Sequence, residues 1–466
     1  MIANAPAVQA TGAALIGLTI GATVTIAADA PRGVRQALSA ALTLPNPAYT
    51  EAERHGRGTR DLEPWLRYYD TRDDGTTDVP RGAAEMVHRI CLAHDLRPIW
   101  RDETYITVPV PFDERVTLSP VQERAVAETL QRRVGVLEAP AGSGKTVMGL
   151  ALVARRRQPA LWITHTRELA RQAVERAGMV LGLSADEVGF VGDGECRVGA
   201  RLTVALVQTL ARGIPPALLD VGHVVVDEAH HCPALQMAAV IARFDARYIL
   251  GLTATPYRRD GLDAVIRFYL GPTVARIAAA DLSDRLILPR VIKRDTGMRP
   301  QGDSFTEIVS ELVADPARNA LIVRDVVEAV GRGRRCLVLS DRVDHVETLT
   351  ALLQAEAVRA AVLHGRLGKR TRGQVVEDLA AGALDVAVAT GSLVGEGFDC
   401  PRLDALFLAT PVSYSGRVVQ YIGRVSRTAP GKVDALVFDY CDDHRMLWST
   451  YRNRAAVYRE QQRVAA

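Results

Sequence analysis

The residues Ala139-Pro140-Ala141-Gly142-Ser143-Gly144-Lys145-Thr146 have the make-up of a phosphate-binding loop. Glycines at 142 and 144 let backbone N–H groups converge on an anion, and the N-terminus of a following helix adds positive potential. Lys145 would neutralise charge on the outer phosphates, and the Thr146 hydroxyl would hold Mg²⁺. Ala139 stands where the usual pattern has its first glycine, but the Gly-Ser-Gly-Lys-Thr core is intact. The plain alternative is a glycine-rich turn with no ligand.

A second group lies in Val224-Val225-Val226-Asp227-Glu228-Ala229-His230. Two carboxylates at the end of an apolar strand can divide the work. Asp227 holds Mg²⁺ through water, and Glu228 polarises an attacking water. Taken alone, these residues could equally be the acidic start of a helix. A third group is Arg424 and Arg427, three apart and so expected on one face of a helix. Guanidinium groups are always charged and suit bidentate phosphate contacts. Alone, they could be a solvated basic surface. Facing the first two groups across a nucleotide, they would act as arginine fingers.

These groups need a scaffold that brings strand ends together. From Leu118 onward, short apolar runs alternate with helical stretches, as in a parallel sheet covered on both faces. Strands are expected at 135–137, 160–163, 202–205, 223–226 and 248–252, and again at 335–339, 360–363, 386–389, 405–409 and 435–438. An acidic pair or a phosphate loop at the C-terminal end of such a strand sits where open α/β sheets bind ligands. Ahead of this, 14–27 reads as two short strands, 34–42 as a helix, 46–49 as a turn, 65–69 as a strand, 83–93 as a helix and 105–110 as a strand. The resulting division is 1–114, 115–295 and 296–466.

With these motifs in order, the chain resembles the superfamily 2 helicases over about residues 115–465, in the branch of XPB-like and UvsW-like helicases and type III restriction subunits. The resemblance implies two tandem RecA-like α/β domains with parallel sheets, preceded by a small α+β domain. It implies ATP and Mg²⁺ as ligands, with Gln122 reading adenine. Gly142, Ser143, Gly144, Lys145 and Thr146 would cradle the phosphates, with Gly397 and Asp399 of Gly395-Glu396-Gly397-Phe398-Asp399 adding contacts from the second domain. His230, Thr253, Thr255 and Gln420 would couple hydrolysis to domain movement. Thr166 and Arg167, with Gln208 and Thr209, would touch a nucleic-acid backbone from the first domain. Arg342, His364, Gly365 and Thr390 would do so from the second. Gln420 through Arg427 matches Q-x-x-G-R-x-x-R, and Arg258-Arg259-Asp260 resembles the Y-R-x-D-G element of the restriction-type branch.

Bulk properties agree with a globular, intracellular enzyme. The net charge is +3, from 57 basic and 54 acidic residues, so a nucleic-acid partner would need a local basic stripe. Only Lys145, Lys293, Lys369 and Lys432 are lysines. None of the six cysteines forms a C-x-x-C pair, which suits a reducing compartment with most thiols in the core. Residues 1–28 lack the basic segment of a secretory signal, and no run is long enough for a membrane span.

The expectation is an ATP-dependent DNA helicase or translocase, cytoplasmic and nucleoid-associated, with RNA still open as a partner. The alternatives are a nucleotide-gated clamp and a non-unwinding duplex translocase serving a partner nuclease or other repair or defence proteins. In residues 1–114, Arg57, Arg67, Tyr68 and Arg72 are candidates for DNA engagement, against a scaffold whose aromatics are packed. Residues 443–464 read as a helix packing through Leu447, Tyr451, Ala455 and Tyr458, with Arg452, Arg454 and Arg459 on a basic face. His165 reads as a packing residue.

Overall fold

In the computed structural model, the described residues are 14–54, 56–140, 142–232, 234–254, 262–278, 280–282, 287–391, 400–412 and 415–463. They form an α/β chain with two large parallel sheets and a smaller mixed sheet. Thr255, Arg258-Arg259-Asp260, Gly397 and Asp399 lie outside the described residues.

The first large sheet has eight strands, in the order 195–197, 188–192, 202–206, 160–164, 223–226, 248–253, 134–138 and 273–276. All run parallel except the short edge strand Glu195–Arg197. Its central strands are buried on both faces: Ala160–Thr164, Leu202–Leu206 and His223–Val226 are buried throughout. This is why they read as unbroken apolar runs and not as alternation. The second large sheet has six parallel strands, in the order 290–295, 436–441, 405–408, 336–340, 386–390 and 360–363. The expected boundary at 295/296 is corrected by this register. Arg290–Asp295 pairs along its length with Leu436–Cys441, so the second lobe already includes residue 290.

The N-terminal sheet places Leu96–Asp102 parallel to Ala14–Ile20, with Thr23–Ile26, Thr77–Pro80 and Asp70–Thr71 beyond. The expected strand at 105–110 does not form. Prolines at 109 and 111 remove backbone donors, and only Tyr105 makes a bridge, to Ala246. The expected turn at 46–49 is the start of a helix, Pro47–Arg54.

This N-terminal unit is bolted to the first lobe. Arg81 is 2% exposed. Its guanidinium donates to the carbonyls of Ala246 and Arg247. Gly82 packs so closely that a Cβ there would lie 2.4 Å from Gly271 N and 2.6 Å from Arg267 O. Tyr68 packs against Phe268 at a tilt and edge-on against Tyr269, with ring centroids 5.6 and 6.3 Å away. Ile16, Val24, Val34 and Val87 belong to the same apolar cluster as Val224, Val265 and Phe268. Of the residues considered for DNA contact, Tyr68 is therefore a packing residue. Arg72 and Arg57 are ion-paired with Asp78 and Glu51.

The closing helix, Arg445–Arg463, packs through Leu447 and Tyr458. Arg454 is buried, not on a basic face. It donates to both carboxylate oxygens of Asp439, at 2.9 and 2.8 Å. Among the described residues, no helix is long and apolar enough to cross a membrane.

Candidate functional site: a cleft between two lobes

Because the strands of each sheet run parallel, their C-terminal ends share one edge. Several of the motif residues lie at or just past such an end. The phosphate loop follows Val134–Glu138, Asp227 follows His223–Val226, and Thr253 closes the strand between them. Ala139 N donates to Thr253 O at 3.0 Å, which ties the loop to that strand.

The loop turns on Gly142 and Gly144, at φ +85° and +87°, and Gly144 caps the helix Lys145–Arg156. A side chain at Gly144 would be strained at this φ, and its Cβ would lie 2.5 Å from Gln122 Nε2. Gln122 sits behind the loop and not in the cleft. Its Nε2 donates to Ser143 O at 2.8 Å, and its Oε1 accepts from Ser119 N at 3.0 Å in a capping box. The amide thus ties the phosphate loop to the start of the helix Pro120–Leu130. Ser143 is buried in the loop itself.

Lys145 Nζ lies 3.2 Å from Ala139 O, 3.4 Å from Pro140 O and 3.5 Å from Glu228 Oε1. Glu228 adopts φ +45°, which only glycine takes without strain. Holding an L-residue there costs about 1–2 kcal/mol. Its backbone N–H donates to Asp227 Oδ1 at 3.0 Å. Burial and the adjacent Glu228 charge raise the Asp227 carboxyl well above the usual carboxylate range. Burial would raise Glu228 too, but the Lys145 ammonium beside it outweighs this and holds Glu228 low. The pair therefore favours one ionised carboxylate, on Glu228, until a cation sits beside Asp227. Thr146 and Asp227 offer hard oxygen donors of the type Mg²⁺ takes from proteins alongside phosphate oxygens.

One cavity of about 510 Å³ gathers these groups. Gly142, Gly144, Lys145, Thr146, Asp227 and Glu228 line it from the first lobe. Gln420, Arg424 and Arg427 line it from the second. The helix Ser415–Val425 ends two residues short of Arg427. The two arginines therefore do not share a helical face as the spacing suggests, yet they reach the same space. Behind it, His230 Nδ1 lies 2.8 Å from Thr253 Oγ1, and its Nε2 lies 3.3 Å from Gln420 Nε2. Burial pushes His230 down to about 3, so the ring is neutral at physiological pH.

The sequence reading took His165 as a packing residue and passed over His231; both line the cavity, with rings 5.3 Å apart. His231 also contacts the Gln420 amide. The only local signal for His231 was its place directly after Asp-Glu-Ala-His.

The residues expected to touch nucleic acid also follow strand ends. Thr166 caps the helix Arg167–Leu181, and Arg167 pairs with Asp193 at 3.3 Å. Gln208 and Thr209 lie on the short helix Val207–Leu210. In the second lobe, Arg342 precedes the helix Val343–Ala355, and its N–H donates to Ser340 Oγ. That hydroxyl lies 2.9 Å from His345 Nδ1, and His345 Nε2 lies 2.9 Å from Asn319 Oδ1. Gly365 is exposed, whereas His364 and Thr390 are buried.

The chain matches two family patterns in series: "Type III restriction enzyme, res subunit" over residues 115–258 and "Helicase conserved C-terminal domain" over 319–429. "Probable helicase D10" of Escherichia phage T5 is 25% identical over 327 residues, covering 70% of this chain and 71% of that one. The "DNA 3'-5' translocase XPB2" of Sulfurisphaera tokodaii is 28% identical over 193 residues, covering 40% of this chain and 42% of that one. In fold, S. cerevisiae Dbp5 bound to RNA and ADP BeF3 is similar, with a TM-score of 0.54 at 15% identity, over 75% of this chain and 94% of that one. Two family matches in chain order, on two parallel sheets that meet at one cleft, make this chain a member of the superfamily 2 helicases.

Proposed function

We propose that this protein hydrolyses ATP in the cleft between its lobes and uses the resulting opening and closing to move along or remodel DNA. The observation that carries this reading is the shared cavity. A lysine, two carboxylates and a threonine face it from one lobe, and two arginines face it from the other. A triphosphate bound there would be held by the loop N–H groups, Lys145 and Mg²⁺ on Thr146 and Asp227. Glu228, kept ionised, would orient and polarise the attacking water. Arg424 and Arg427 would reach the developing charge only when the lobes are together, which makes turnover a report of closure.

Thr166, Arg167, Gln208 and Thr209 would hold the nucleic-acid backbone from one lobe, and Arg342, His364, Gly365 and Thr390 from the other. Backbone contacts of this kind are sequence-tolerant and salt-sensitive. DNA is favoured because the relative named XPB2 is a DNA translocase. The restriction-subunit match supports a partner nuclease as one setting for such a motor. In this scheme residues 1–114 are accessory, about 115–289 bind nucleotide, and 290–466 supply the moving lobe. A nucleotide-gated clamp is the lesser reading, since a clamp has no use for a strained, ionised Glu228 beside Lys145.

The test is steady-state ATP turnover with single-stranded, duplex and forked DNA and with RNA. Lys145→Ala and Glu228→Gln should each lower stimulated turnover by about 100-fold or more. Near-normal turnover in either variant defeats the assignment, and stimulation by RNA alone would replace DNA as the track.

A further inference from the structure

We infer that His231 is a positioning residue that links the nucleic-acid side of the first lobe to the second lobe, through Gln420 at its Nε2 and His165 packed beside its ring. The inference rests on the turnover reading above and deepens it.

The Gln420 amide nitrogen carries two N–H groups. One points to His230 Nε2 at 3.3 Å, and the other to His231 Nε2. His230 is neutral; if Gln420 donates to its Nε2, the matching tautomer carries the ring proton on Nδ1, facing Thr253 Oγ1. His230 therefore connects Gln420 to the strand that carries Thr253. His231 takes the second N–H in a different direction. Its ring lies 4.0 Å from that of His230 and 5.3 Å from that of His165. His165 directly precedes Thr166, which caps the helix Arg167–Leu181. A nucleic-acid backbone held by Thr166 and Arg167 would shift this turn, and the packed imidazoles would pass the shift to Gln420 and so to the lobe bearing Arg424 and Arg427. Space-filling alone would not need the Nε2 acceptor to face a side chain 189 positions away.

Two variants of the full chain separate the two contacts. His231→Gln keeps an acceptor for Gln420 and loses the ring contact. His231→Phe keeps the ring contact and loses the acceptor. At saturating DNA, His231→Phe should lower kcat about tenfold while the KM for ATP changes by less than about twofold. His231→Gln should retain most of kcat but need about fivefold more oligonucleotide for half-maximal stimulation. Adding His231→Phe to Gln420→Ala should cost nothing further, because Gln420→Ala has already removed the contact that His231→Phe removes. Multiplicative losses in that double variant, or two single variants that match the parent, overturn the inference.

A parent chain that fails to turn over ATP would sink the hydrolysis reading first. In that event, lobe-to-lobe energy transfer with a non-hydrolysable ATP analogue decides the matter. Nucleotide-driven closure should be lost in His231→Phe, and unchanged closure refutes the linkage.

Discussion

His345 shows how a buried imidazole sets a limit on acid tolerance. It bridges Ser340 and Asn319 inside the second lobe, and that hydroxyl in turn accepts from Arg342 N. Burial, with Arg318 nearby, lowers its pKa from 6.5 to about 4. Above about pH 6.5 the ring is neutral whether the chain is folded or not, and titration contributes nothing. Between 6.5 and 4 the unfolded chain takes up a proton that the folded one refuses, so stability falls as pH falls. The full effect is about 3 kcal/mol. His223 and His230 are also held low by burial and act in the same direction. Urea midpoints measured from pH 7.5 down to 4.5 should decline, and His345→Gln should remove about one proton of that dependence. Equal slopes for parent and variant would rule out the burial of a neutral His345.

At the scale of elements, Pro80 to Ala83 is the joint on which the N-terminal unit seats. Gly82 meets backbone atoms and not flexible side-chain ends, so a methyl group cannot be absorbed locally. Gly82→Ala should destabilise the protein by about 1–3 kcal/mol, read as a lower melting temperature in calorimetry. An unchanged melt would mean the joint is looser than its contacts indicate.

This joint was not legible in the sequence, because its partners lie some 165 to 190 positions away. The strands that were legible, such as Ala160–Thr164 and Val386–Thr390, are buried on both faces and announce themselves as apolar runs. Those that were missed lie towards the edges. Thr273–Arg276 and Arg290–Asp295 carry charges on exposed positions, and Val188–Gly192 has glycines that break its period. The same contrast holds in the cleft. Lys145, Asp227 and Glu228 lie in contiguous motifs whose chemistry is local. The bond from Gln122 to Ser143 and the packing of His165 against His231 arise only when segments distant in sequence meet.

For the whole molecule, the two lobes built on parallel sheets line one cleft, Lys145, Asp227 and Glu228 from the first and Gln420, Arg424 and Arg427 from the second. The N-terminal sheet belongs with the first lobe in this arrangement, since Ile16, Val34 and Val87 share an apolar cluster with Val224, Val265 and Phe268. A gene shortened to begin at residue 115 would therefore strip the cover from Phe268 and Tyr269. The trimmed product should be recovered mainly as aggregate, or bind a hydrophobic dye strongly, where the full-length chain stays monodisperse in size-exclusion chromatography. A well-behaved trimmed product would mean that the cluster splits cleanly in two. Anyone seeking a minimal engine from this protein should accordingly shorten it elsewhere, because its front end serves as the wall of the room in which the first sheet folds.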